Sequence, residues 1–135
     1  MAVTIRRKQG LKIAQTLTMG QATLVVDVAV SDGGDDAGPS PHDLYDSALA
    51  ACNALTVMWY ANRKHIPVQD LVVSVERDNS REREGAYSLT SRIAIGGALT
   101  NDQLAELRSV AEKCPIHRLM TKVETTIQTQ MERLA

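Results

Sequence analysis

Two residues of this 135-residue chain could do covalent chemistry at neutral pH, Cys52 and Cys114, and they are its only cysteines. A thiol acts as its thiolate, whether as nucleophile, metal ligand or half of a redox couple. Cys114 is followed by Pro115, His117 and Arg118. Pro suits the first position of a helical turn, which makes Cys114 the residue that caps it. There a thiolate would meet free N–H groups and have its pKa lowered, with His117 and Arg118 adding positive charge. The plain alternative is a small buried residue capping a turn. Cys52 sits among Ala50, Ala51 and Ala54. A lone Cys in such a run is often a compact apolar filler. The same small neighbours also let another element approach closely.

Other constellations use the same residues. Cys114-x-x-His117 with Cys52 and either His42 or His65 supplies zinc-type ligands, but only one close pair. A Cys–His–Asp hydrolase could draw on His117, His42 and Asp43, yet no nucleophile elbow or oxyanion motif accompanies them. The stretch SDGGDDAGPSP, residues 31–41, has no Gly-x-Gly or P-loop pattern and reads as a mobile loop. The charged run RDNSREREG, residues 77–85, reads as a solvated hairpin tip.

The elements that must carry these residues follow from periodicity. Residues 2–8, 11–18 and 22–30 are three short strands, the natural pattern of an antiparallel meander. Ser40 is an N-cap, Pro41 a first helical residue, and Ser40 with Asp43 a capping box. The helix they open runs to about Lys64. Its apolar residues, from Leu44 to Trp59, fall on nearly every side, which predicts a helix buried all round. Residues 68–77 and 86–95 alternate as strands, the second carrying Tyr87, Leu89, Ile93 and Ile95 in register. Thr100 caps a helix over 101–113, and 123–131 alternates as a final strand. The order is β-β-β-α-β-β-α-β, within a single domain spanning residues 1–135.

Composition narrows the function. The net charge of −1 has no polyelectrolyte signature for nucleic acid or a membrane surface. One Trp, three Tyr and no Phe leave little for stacking bases. No apolar leader follows the N-terminal charges, and the most apolar window, 44–61, contains Asp46, Ser47, Asn53 and Thr56. The expectation is a cytoplasmic protein with no membrane span, where two cysteines do not make a disulfide framework.

Ser40-Pro41-His42-Asp43-Leu44, then Ala48-Leu49-Ala50-Ala51-Cys52, then Ile66-Pro67 and Cys114-Pro115, together resemble the OsmC/organic hydroperoxide resistance superfamily over essentially the whole chain. The resemblance implies an α+β, OsmC-like fold, with antiparallel sheets wrapped around central helices in an intertwined homodimer. It implies thiol-dependent reduction of organic or fatty-acid hydroperoxides. Cys52 would then be the peroxidatic thiol and Cys114 the resolving thiol. No metal or organic cofactor is required; an external dithiol, a lipoyl group in some relatives, reduces the resulting disulfide.

The chain also departs from that pattern. The peroxidase branches carry a Glu ten residues before the first Cys, where this chain has His42, with Asp43 beside it. They use an Arg from the N-terminal strands, and here no Arg lies between Lys8 and Arg63. The Cys-Pro-Ile-His-Arg form resembles a separate OsmC-like branch, in which Arg118 would be the cation near the thiols. Ten helical residues rise about 15 Å, so a straight helix keeps His42 from Cys52 of its own chain. A joint site then needs the second subunit. Two readings result: a homodimeric thiol peroxidase, and a stress-related binding module of the same fold without efficient peroxidase chemistry.

Overall fold

A computed structural model of the chain describes residues 2–134. It is α+β, with three strands, a long helix, a two-stranded hairpin and two further helices in order. Strands β1 (Val3–Arg7), β2 (Gln15–Met19) and β3 (Ala22–Val26) form an antiparallel meander. Ile5 pairs with Leu17, and Leu17 with Leu24. Gly20, at φ +58°, takes the left-handed conformation that a two-residue hairpin turn demands. Helix α1 covers Pro41–Lys64 and is followed by the sheet of β4 (Asp70–Asp78) and β5 (Ser88–Gly96). Helices α2 (Asn101–Ala111) and α3 (Pro115–Thr121) complete the elements.

The chain forms two compact units. One runs to Ala48 and takes in Val75–Ser91; the other holds Leu49–Ser74 and the residues from Arg92 onward. The first unit buries Ala14, Leu17 and Val26, with Asp27 and Asp46 as buried carboxylates. The core of the second is Val57, Ala61, Ile66, Leu107 and Ala111, flanked by Tyr60, Leu71, Ile93 and Ile95.

The helix start is built as its residues dictate. The Ser40 N–H donates to Asp43 Oδ2 (2.9 Å) and the Asp43 N–H to Ser40 Oγ (3.1 Å), both halves of a capping box. Thr100 and Gln103 repeat the device at α2. Before α1, the segment expected to be a mobile loop carries a 3-10 turn at Val30–Asp32. It is gathered around Asp27, whose carboxylate accepts from the N–H groups of Val28, Asp35 and Ala37. Burial pushes this carboxyl up, but the three N–H groups outweigh it and hold the pKa below 3.8. Gly38 packs so tightly here that a Cβ would lie 2.0 Å from the Val25 carbonyl oxygen.

Four expectations are corrected. Residues 11–14 are bends rather than strand, closed by the Lys8 N–H bonding to the Ala14 carbonyl. The third strand ends at Val26, because Asp27 turns its side chain onto the loop. Helix α1 is not buried all round in the single chain. Its buried residues, Asp46, Leu49, Asn53, Val57 and Ala61, form one stripe, while Leu55 is 71% and Trp59 60% exposed. The final strand does not form: the order ends β-β-α-α, and residues 123–134 lie outside helix and sheet with Ile127 82% and Met131 95% exposed. Alternation suits a segment to a sheet, but a strand exists only where a neighbour supplies hydrogen bonds.

Candidate functional site

In the second unit, the packing of α1 against the α2–α3 junction brings the two cysteines together. Cys114 is fully buried and caps α3, its Sγ accepting from the His117 N–H at 3.4 Å. The contact uses the backbone of His117 rather than its imidazole. Cys52, half-buried on α1, neighbours the Cys114 thiol and lies 3.9 Å from Thr56 Oγ1. Both cysteines are free thiols.

Asn53, next to Cys52 and 3% exposed, is the residue that sequence reasoning missed. Its Nδ2 donates to the Ala111 carbonyl (3.2 Å) and to Cys114 Sγ (3.3 Å). One amide group thus ties α1 to the end of α2 and to the thiol that caps α3. The available signal was an amide placed within an apolar helix, because buried side-chain amides require partners.

The lowered pKa expected for Cys114 is corrected. Burial pushes the thiol above its ordinary value of 9.0 despite the His117 N–H, and the neighbouring Cys52 pushes it further. A cap supplies N–H groups, but removal from water disfavours the thiolate more strongly. Arg118 lies on the exposed side of α3 and makes no ion pair among the described residues. Those residues bring no three of the metal-ligating side chains His, Cys, Asp and Glu to one point.

The first unit holds a separate polar constellation at the start of α1. His42 Nε2 pairs with Glu82 at 2.7 Å. Asp43 and Asp46 share the Arg77 guanidinium, whose Nε lies 2.6 Å from Asp46 Oδ2. The Tyr87 hydroxyl donates to the other oxygen of Asp46 at 2.6 Å. The buried Asp46 carboxylate is therefore satisfied at both oxygens. Asp43 is held below 3.8, first by the Ser40 N–H and then by Arg77. Tyr87 is pushed up to about 12 by burial and by its bond to Asp46. Beside this network, Pro41, His42, Tyr45, Glu82 and Tyr87 line an open cleft of about 350 Å³. Tyr45 meets Tyr87 edge-on, with ring centroids 5.9 Å apart. The run read as a solvated hairpin tip thus contributes Arg77 and Glu82 to this constellation.

The comparisons with known proteins bear on both groups. The family profile described as "OsmC-like protein" matches residues 33–130, which include Cys52, Cys114 and the start of α1. No curated protein sequence matches the chain. Several solved structures share its fold. An osmotic stress induced and detoxification response protein from Psychrobacter arcticus has a TM-score of 0.74 at 16% identity, over 90% of this chain and 89% of that one. The organic hydroperoxide resistance protein OsmC from Legionella pneumophila has a TM-score of 0.67 at 21% identity, over 90% of each chain. The organic hydroperoxide resistance protein OhrB of Bacillus subtilis has a TM-score of 0.59 at 18% identity, over 90% of this chain and 92% of that one.

Proposed function

The chain belongs to the OsmC-like protein family, and on that premise we propose that it is a thiol peroxidase that reduces organic hydroperoxides through Cys52 and Cys114. The single observation that supports this reading is that a half-buried thiol neighbours a fully buried one. The hydroperoxide resistance named for its structural neighbours supports the substrate class.

The cycle balances without a metal or organic cofactor. The Cys52 thiolate attacks the terminal oxygen of the hydroperoxide, the O–O bond breaks, and the alkoxide leaves as an alcohol after taking a proton. Cys52 becomes a sulfenic acid. Cys114 sulfur then attacks Cys52 sulfur, forming the disulfide and releasing water. An external dithiol, such as a dihydrolipoyl group, returns both thiols and leaves as its own cyclic disulfide. The exposed faces of α1 and of residues 123–134 meet a second copy in a homodimer. There the C-terminal segment gains the strand partner it lacks.

Turnover tests this reading. Dihydrolipoamide consumption should be driven by t-butyl or fatty-acid hydroperoxide and abolished by Cys52→Ser. A rate no higher than that of the Cys52→Ser variant would overturn it. A second reading, a stress-related binding module, has its own observation in the aromatic cleft at His42, Tyr45 and Tyr87. It predicts no turnover, together with saturable binding of an apolar ligand that quenches tyrosine fluorescence and is lost in Tyr45→Ala.

A further inference from the structure

Reduction of a Cys52–Cys114 disulfide raises a question of direction, because a thiol can attack either sulfur and the other must leave. Cys114 is 0% exposed, whereas Cys52 is partly open. In the single chain, access therefore favours attack at Cys52, which makes Cys114 the leaving sulfur. Burial opposes a thiolate at Cys114, so its departure depends on donors already in place. The structure supplies one from a side chain that is itself buried. Asn53 Nδ2 stands 3.3 Å from Cys114 Sγ, and its second N–H is committed to the Ala111 carbonyl at 3.2 Å. With both amide protons used, the group is fixed in orientation and points a donor at the sulfur.

We infer that Asn53 directs the reductive half of the cycle, holding Cys114 as the leaving thiolate while the external dithiol attacks Cys52. The inference rests on the thiol-pair reading above and adds a residue and a direction to it. In the step, a reductant thiolate forms a bond to Cys52 Sγ, the Cys52–Cys114 bond breaks, and its electron pair stays on Cys114. That sulfur departs hydrogen-bonded to Asn53 and then takes a proton. The second thiol of the reductant, after losing its proton, attacks the mixed disulfide and releases Cys52. Two electrons and two hydrogens pass from the dithiol to the protein. The same donor serves the forward step, in which Cys114 attacks the Cys52 sulfenic acid.

Two measurements test this. The disulfide is first made in the full chain with diamide, so that its formation does not depend on peroxide. Glutathione then serves as a monothiol probe, and the acid-quenched mixed disulfide is located by peptide mass mapping. Glutathione on Cys52 with Cys114 free is expected; glutathione on Cys114, or no Cys52–Cys114 disulfide at all, overturns the inference. A disulfide that forms with diamide but not with hydroperoxide overturns the peroxidase reading instead, and the mapping still decides the direction of attack. In the second measurement, Asn53→Leu slows glutathione attack about tenfold, the scale of a lost hydrogen bond to a charged group. In a Cys52→Ser background the same change raises the midpoint of the Cys114 thiolate ultraviolet titration by about one pH unit. A purely structural tie would lower thermal stability and leave that midpoint in place, which overturns the assignment. Should Asn53→Leu fail to fold, Asn53→Ala, neutral and without a side-chain donor, carries the same titration, with an upward shift again expected.

Discussion

Tyr87 shows how a single residue reports on the network at the start of α1. Its hydroxyl donates to Asp46, and burial with that bond moves its pKa from 10.0 to about 12. Below pH 10 the phenol is neutral in both the folded and the unfolded chain. Between pH 10 and 12 the unfolded chain releases the proton first, so the stability Tyr87 contributes is lost as pH rises through that window. Urea denaturation across it should show a decline that Tyr87→Phe reduces; equal declines in the two proteins would contradict the assignment. Neither Tyr87 nor Arg77 was legible as a partner of Asp46, which lies 41 and 31 positions away from them. The local sequence of Asp46 shows only that a carboxylate on an apolar helix needs a partner. Cys114 was legible as a cap because Pro115 follows it directly, whereas the sign of its pKa shift was not. Burial depends on what the whole chain packs over that sulfur.

In the elements, local chemistry is legible in the sequence and partnership is not. Ser40, Pro41 and Asp43 locate the first residue of α1, and Thr100 with Gln103 does the same for α2. Ser40→Ala should therefore cost about 1 kcal/mol of folding stability in urea titration; an unchanged midpoint would show that the reciprocal bonds carry no net weight. The strand expected over residues 123–131 has the right alternation, but among the described residues no strand pairs with it. The helix expected to be buried all round covers one stripe and exposes Leu55 and Trp59. Both discrepancies have one physical origin: periodicity specifies which face is apolar and not which molecule covers it.

For the whole molecule, that origin leaves an apolar surface uncovered. Large apolar side chains at Leu55, Trp59, Ile127, Met131 and Leu134 are exposed in the single chain. The homodimer proposed above would cover them. Sedimentation at micromolar concentration should give a dimer, and Trp59→Glu should weaken it; a stable, folded monomer of the unmodified chain would contradict the assembly. The family and the α+β class were legible because short motifs around Cys52 and Cys114 lie far apart in sequence yet occur together. Peroxidase chemistry in this chain requires those two sulfurs to act as a pair. Its most direct test is the intact mass of the reduced protein after one equivalent of t-butyl hydroperoxide. Rapid loss of two hydrogens and of both free thiols is expected, with Cys52→Ser showing neither. Thiols that survive the peroxide unchanged, or a stable oxygen adduct on Cys52 with Cys114 still free, would contradict it.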